Sequence, residues 1–337
     1  MKILWLRPAK PDNISVGRHM IAEVLRRRGY EVEVRNVTLW SFIDVLSMNP
    51  DVVVGTTRLG AFVGAWKKLL SGTPLVVDHI DPISQLRRNN GPVKTWIVDQ
   101  IEKVAFIIAD HVLVVYREEL PRVDRYARRV TKTDLGVDFE RFADPNLNVR
   151  RQVGSLLEGA VSDDRRTVVY IGGLEPEYHV STVISAMDHL SGWQFLVFGD
   201  GSERELLEEA AANRDDVVYL GTIGNDLIPG VLYEADVGIC LLDDKNTLKI
   251  LEYGAARLPA VNVEGDAESK YTGLITFCSL DPADVARAIE EAAMSATLDE
   301  YQSYVSSFGW ESIASTYESV IKSAAAEDFG PSGSNPP

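Results

Sequence analysis

The densest run of chemistry-bearing side chains is Leu241-Leu-Asp-Asp244-Lys-Asn246-Thr247-Leu248-Lys249-Ile-Leu-Glu252-Tyr253-Gly254. An apolar strand ends near Leu242, and Asn246 is a good N-cap, so a helix is expected to start at Thr247. The first amides of such a helix and the positive end of its dipole form a ready anion site at a sheet edge. Lys249 in the first turn is unfavourable for the dipole by itself and makes sense beneath an anion. Glu252, three residues on, shares its face. Taken alone, the two residues read more simply as a surface ion pair.

Other chemistries lack their residues. Gly55-Thr-Thr-Arg58-Leu-Gly60 has the glycines of a phosphate loop, but Ala61-Phe62 stand where Lys-Ser/Thr would hold phosphate and magnesium. Gly199-Asp200-Gly201 follows a strand, yet Arg204 replaces the third glycine of a dinucleotide fingerprint. No Gly-x-Ser-x-Gly elbow is present. His19, His79, His111, His179 and His189 are scattered, without zinc-ligand spacing. No Asp-x-Asp is present, so a diphosphate would be handled without a dedicated metal. Cys240 and Cys278 sit in apolar stretches and read as buried, reduced thiols of a cytoplasmic protein.

The elements that would position these residues alternate between strand and helix. Ile3–Leu6, Val52–Val54, Leu75–Val77 and Val112–Val115 are short continuous apolar runs, as buried parallel strands require. Helical patterns lie between them, with Met20, Ile21, Val24 and Leu25 forming one stripe. The alternation lapses around Pro145, Gly154 and Gly159, and resumes from Thr167. The expectation is an α/β chain of two Rossmann-like, doubly wound parallel-sheet domains, over 1–145 and 167–307, with a linker at 146–166. A helix follows over 308–323, and the Gly/Pro/Ser-rich tail 324–337 is expected to be disordered. No segment suits a bilayer span or a signal peptide.

Lys249-Ile-Leu-Glu252-Tyr253-Gly254 with Leu258-Pro259-Ala260-Val261 resembles the signature of retaining family-4 glycosyltransferases (glycosyl transferases group 1) of the GT-B fold. Further pieces fall in that family's order. They are Leu135-Gly136-Val137-Asp138, Tyr170-Ile-Gly172-Gly173-Leu174, Phe198-Gly199-Asp200-Gly201, Leu232-Tyr-Glu-Ala-Asp236-Val237 and Phe308-Gly309-Trp310-Glu311. The resemblance implies two domains facing each other across a cleft. It also implies metal-independent transfer of a sugar, with retention, from a nucleotide-sugar co-substrate to a glycan or lipid-linked acceptor, with no resident cofactor. The last helix would cross back onto the N-terminal domain.

Residue by residue, the resemblance implies that Glu252 holds the ribose and Asp244 the donor sugar. Thr222 and Ile223 would offer backbone groups to the base, and diphosphate would lie on the Thr247 and Leu248 amides against Lys249. The family's diphosphate Arg and Lys are absent: Gly173 and Tyr178-His179 occupy their places. Three accounts stay open. Lys249 with Arg18 or Arg58 substitutes, His179 serves as the cation, or the protein is a non-catalytic sugar-nucleotide-binding subunit. A nucleotide-sugar 2-epimerase, which shares the fold, is a further alternative.

In the N-terminal half, Gly17 and Arg18 would open a helix beside the acceptor, although a solvent-exposed arginine is an equal reading. Asp78-His79-Ile80-Asp81 follows a strand at the edge where acceptor sites form, with His79 as a catalytic candidate and helix capping or packing as its alternative. The formal charge of −16 is unevenly spread: residues 1–150 hold 23 Lys and Arg against 18 Asp and Glu, and residues 151–337 hold 11 against 32. A basic N-terminal half with Trp66, Leu69 and Leu70 beside Lys67 and Lys68 fits peripheral contact with an anionic membrane at the inner face of the cell. The acidic remainder argues against nucleic acid.

Overall fold

The computed structural model describes residues 1–8, 14–38, 42–80, 82–89, 91–244 and 247–327. The chain divides into two units, residues 1–136 with 310–337, and residues 137–309. Each holds a six-stranded parallel sheet. The architecture is α/β, with helices flanking each sheet.

In the first unit, β1 (Lys2–Pro8), β2 (Glu31–Val37), β3 (Val52–Thr56), β4 (Leu75–His79), β5 (His111–Val114) and β6 (Val130–Lys132) lie in the order β2-β1-β3-β4-β5-β6. Strands β3, β4 and β5 are buried end to end, which is why they read as unbroken Val/Leu runs. Alternate residues serve opposite faces. Ile3, Trp5, Val54 and Val76 pack under α1 (Ile14–Arg27), while Leu4, Leu6, Val53 and Val77 pack under α2 (Thr57–Ser71) and α3 (Pro92–Ile108). Gly60 belongs to this packing: a Cβ there would lie 2.6 Å from the Leu6 carbonyl oxygen. The lysines of α2 are engaged internally. Lys67 Nζ donates to the Leu46 and Met48 carbonyls at 3.0 and 2.5 Å, and Lys68 pairs with Asp110, so neither offers the free charge that the sequence suggested.

The second unit begins earlier than expected. Residues 146–166 belong to this unit, and Leu147–Leu157 form a helix capped by the Asn146 side chain, which accepts from the Asn148 and Val149 amides at 3.0 Å. Its Val153 and Leu157 are buried in the second unit's core. The sheet comprises β7 (Arg166–Gly173), β8 (Trp193–Asp200), β9 (Val217–Tyr219), β10 (Val237–Cys240), β11 (Ala260–Val263) and β12 (Thr276–Cys278). Their order is β12-β11-β10-β7-β8-β9, the doubly wound order of dinucleotide-binding domains. Cys240 and Cys278 are buried and unpaired.

The chain returns to the first unit at Trp310. Trp310–Glu327 is one helix whose Ile313, Ala314, Tyr317 and Ile321 complete the layer formed by α1. It runs past Lys322, and Ala324 is buried, so the expected tail starts late by at least one turn. Residues 328–337 lie outside the described residues.

Candidate functional site

In the second unit β7 pairs with both β8 and β10, and the chain's winding reverses between β7 and β10. Ligands of doubly wound sheets bind in the crevice at such a switch point, beyond the carboxyl ends of the strands. Gly172-Gly173 and the segment after Cys240 meet there. The helix Leu248–Ala255 starts one residue later than expected, with Thr247 at the N-cap position. The Thr247 hydroxyl lies 3.8 Å from the Cys240 sulfur and makes no capping bond to a first-turn amide. Leu248 is exposed at the helix start, and Asn246 lies outside the described residues.

Lys249 reaches back from this helix over the end of β7. A Cβ on Gly172 would fall 2.7 Å from its Nζ, so the absence of a side chain makes room for the ammonium. The same Nζ stands 4.6 Å from the centre of the Tyr178 ring and 5.4 Å from that of Tyr170. Aromatic faces stabilise a cation while leaving its donors open. The half-buried Glu252 side chain makes no hydrogen bond or ion pair among the described residues, so the simple Lys249–Glu252 surface pair does not form. Burial pushes its carboxyl up to about 7, against the pull of Lys249 and Arg141.

The helix is held from behind by its own motif. Tyr253 donates to the Ile239 carbonyl at 3.1 Å and lies across Gly238, where a Cβ would come within 2.7 Å of the ring. Tyr301 donates to the Ile250 carbonyl, and Gly254 lets Tyr301 and Val305 approach. These contacts fix the direction in which Lys249 and Glu252 project.

Asp244 is exposed in the preceding loop; its carbonyl accepts from the Thr247 amide at 3.2 Å. Gly173 is exposed at the end of β7. His179 adopts the left-handed conformation (φ 53°) beside Tyr178, on the same loop. Thr222 is exposed and lines a hollow with Gly199, Asp200, Tyr219 and Gly221, whereas the Ile223 side chain packs onto the core. The region thus gathers Gly172, Gly173, Tyr178, Lys249 and Glu252 closely, with Asp244 on the adjoining loop. Among the described residues no three His, Cys, Asp or Glu side chains gather as metal ligands.

The first unit treats its candidates differently. Arg18 is buried against Asp78, donating from Nε and Nη2 at 2.9 Å each. Tyr317 and Thr56 also donate to Asp78, at 2.6 and 2.8 Å, and Trp5 donates to Thr56 at 2.7 Å. Burial alone would raise the Asp78 carboxyl, but Arg18 and these hydrogen bonds hold it below the usual carboxylate range. Both charges are consumed inside the fold, which corrects their reading as ligand-facing groups. Arg58 is ion-paired with Glu102 at 2.8 Å, so neither arginine is available as the substitute cation. Gly17 makes room for Trp310, whose Cη2 would lie 2.8 Å from an added Cβ. His79 is buried, with Nε2 2.9 Å from Glu119 and its ring edge-on to Phe106. That is the packing alternative, and its Nε2 is occupied within the fold. Asp81 lies outside the described residues.

Residues 165–294 match the family model of glycosyl transferases group 1. The matched stretch lies wholly within the second unit and contains Gly172, Lys249 and Glu252. No curated protein sequence matches the chain. Among solved structures, Anabaena HepE in complex with UDP superimposes with a TM-score of 0.74 at 16% identity, covering 96% of this chain and 100% of that one. Sucrose-phosphate synthase from Thermosynechococcus elongatus gives 0.69 at 16%, covering 97% and 100%. A glycosyltransferase from Rickettsia africae gives 0.74 at 13%, covering 96% and 98%. At these identities the likeness establishes the GT-B fold.

Within the second unit, three participants carried no motif-level signal. Tyr170 sits in a strand and Tyr178 in a turn, and only the fold brings both rings to Lys249. Arg141, whose charge acts on Glu252, lies more than a hundred residues before it. For Tyr178, the usable hint was that an aromatic occupies a place where the resembling family carries a cation.

Proposed function

We propose that the protein transfers a sugar from a nucleotide-sugar donor to a glycan or lipid-linked acceptor, with retention and without a metal. The observation that carries this reading is the Lys249 ammonium, held over Gly172 against two tyrosine rings at the switch point, beside a Glu252 carboxyl without a partner among the described residues. An ammonium at a helix start suits a diphosphate leaving group, whose charge grows as the sugar departs. Ionised Glu252 accepts from ribose hydroxyls, Asp244 contacts the donor sugar, and the segment at Thr222 and Ile223 lies toward the base. With Arg18 and Arg58 consumed in the first unit, Lys249 carries the diphosphate, assisted by the amides at Thr247 and Leu248 and by His179. UDP in the HepE complex makes a uridine donor the first to try. The first unit takes the acceptor, and its basic surface gives a cytoplasmic protein a peripheral contact with an anionic membrane.

The test is incubation with a panel of nucleotide-sugars and acceptors, in buffer and in chelator, followed by NMR of the product's anomeric centre. Retained configuration with undiminished turnover in chelator is expected. Inversion or chelator-sensitive turnover would contradict the mechanism. Interconversion of the donor alone would show an epimerase, and donor binding without any turnover a non-catalytic subunit.

A further inference from the structure

Helix α3 is built inside out. Its inner side carries Glu102, only 3% exposed and ion-paired with Arg58 at 2.8 Å and Arg122 at 3.0 Å, next to Thr95, Ala105 and Phe106. Its outer side carries Val93, Trp96, Ile97, Ile101, Val104 and Ile107, whose spacing places them on one continuous stripe. Val93 is 71% exposed and Trp96 64%. A helix facing water places charge outward and apolar groups inward. Helix α2 packs against α3 and ends in Trp66, Leu69 and Leu70, which are also exposed. An apolar face of this extent on a folded unit marks a contact surface.

The rim identifies the occupant. Lys94 is exposed on α3 itself, and Arg87 shares a hollow with Pro92 and Trp96. Arg125 flanks the far end over the Tyr126 ring, beside Lys103, whose charge is paired with Asp99 at 2.6 Å. The first unit holds 22 Lys and Arg against 19 Asp and Glu, whereas the second holds 12 against 31. A second copy placed face to face would press two basic rims together. An anionic bilayer accepts the aliphatic stripe, places the Trp66 and Trp96 indoles at the water boundary and neutralises the rim. We propose that the outer face of α3, with the end of α2, is the seat on which the protein docks to an anionic lipid surface. No helix among the described residues is long and apolar enough to cross a membrane, so the docking is peripheral. This inference rests on the membrane contact proposed above and moves its seat from the α2 lysines to α3.

The test is cosedimentation of the full chain with phosphatidylcholine vesicles, with and without phosphatidylglycerol, with tryptophan emission recorded on the same samples. Partition onto the anionic vesicles with a blue shift is expected. The triple variant Trp96→Gln/Ile101→Gln/Val104→Gln should lose at least about tenfold in partition while keeping its melting temperature, since all three side chains are exposed. Anionic-vesicle binding that the triple variant retains would overturn α3 as the seat and leave the membrane contact standing. No binding to either vesicle would overturn both. A concentration-dependent dimer abolished by the same variant would assign the face to a second copy instead.

Discussion

The Glu252 side chain has neither a hydrogen bond nor an ion pair among the described residues, and burial holds its carboxyl at about 7 rather than the 4.5 of a solvated glutamate. Between those values the folded chain keeps a proton that the unfolded chain has released, so this group's contribution to stability falls as pH rises from about 4.5 and levels off above about 7. Glu252→Gln should therefore melt higher than the parent at pH 8 and match it near pH 4.5; a variant no more stable at pH 8 would contradict the burial argument. Lys249 and Glu252 stood out in the sequence because their motif resembles a glycosyltransferase signature; their three-residue spacing alone read as a surface ion pair. Arg18 was not, since its partners Asp78 and Tyr317 lie 60 and 299 positions away, and only sheet closure brings them together. An arginine opening a helix looks the same in a sequence whether it meets a ligand or a buried aspartate.

At the scale of elements, the helix Leu248–Ala255 positions the site, and Gly254 is the point at which it is pressed against its support. Glycine to alanine inside a helix ordinarily stabilises by up to about 1 kcal/mol. Here the new methyl would lie 2.5 Å from Val305 and 2.7 Å from Tyr301, both buried. Gly254→Ala should instead destabilise by about 1–3 kcal/mol, read as a lower urea midpoint at unchanged m; a midpoint shifted upward would show that the helix is not seated there. Most strands were legible because buried parallel strands are continuous apolar runs. The helix at Leu147–Leu157 left only a faint signal within a segment read as interdomain, because its inward side needs only Val153 and Leu157, too few to raise a clear period among polar neighbours. Helix α3 shows what composition leaves open: its apolar residues support a helix, but only the fold shows that many of them face out.

The whole molecule is organised by charge and by chain crossing. The net −16 divides into a basic first unit and a strongly acidic second one, a split visible in the sequence as soon as the halves were counted separately. The C-terminal helix belongs to the first unit although the whole of the second unit, residues 137–309, separates it from the rest. Truncation after Gly309 would uncover Ile21, Val24 and Trp5, beside which Tyr317 stacks with ring centres 5.7 Å apart. The truncated chain is expected to bind a hydrophobic dye and to lose its cooperative melt; an unchanged melt would contradict the assignment of that helix to the first core.

The central claim is that Lys249 is the cation on which a nucleoside diphosphate sits in the second unit. It is tested most directly by calorimetric titration of the full chain and of Lys249→Ala with UDP and other nucleoside diphosphates at pH 8. A charge-assisted hydrogen bond to an anion contributes about 1.5–3 kcal/mol, equivalent to about ten- to a hundredfold in affinity. The account predicts binding by the parent and at least about a tenfold loss in the variant at unchanged melting temperature. Equal affinity in the two proteins, or no binding of any nucleoside diphosphate by the parent, would contradict it.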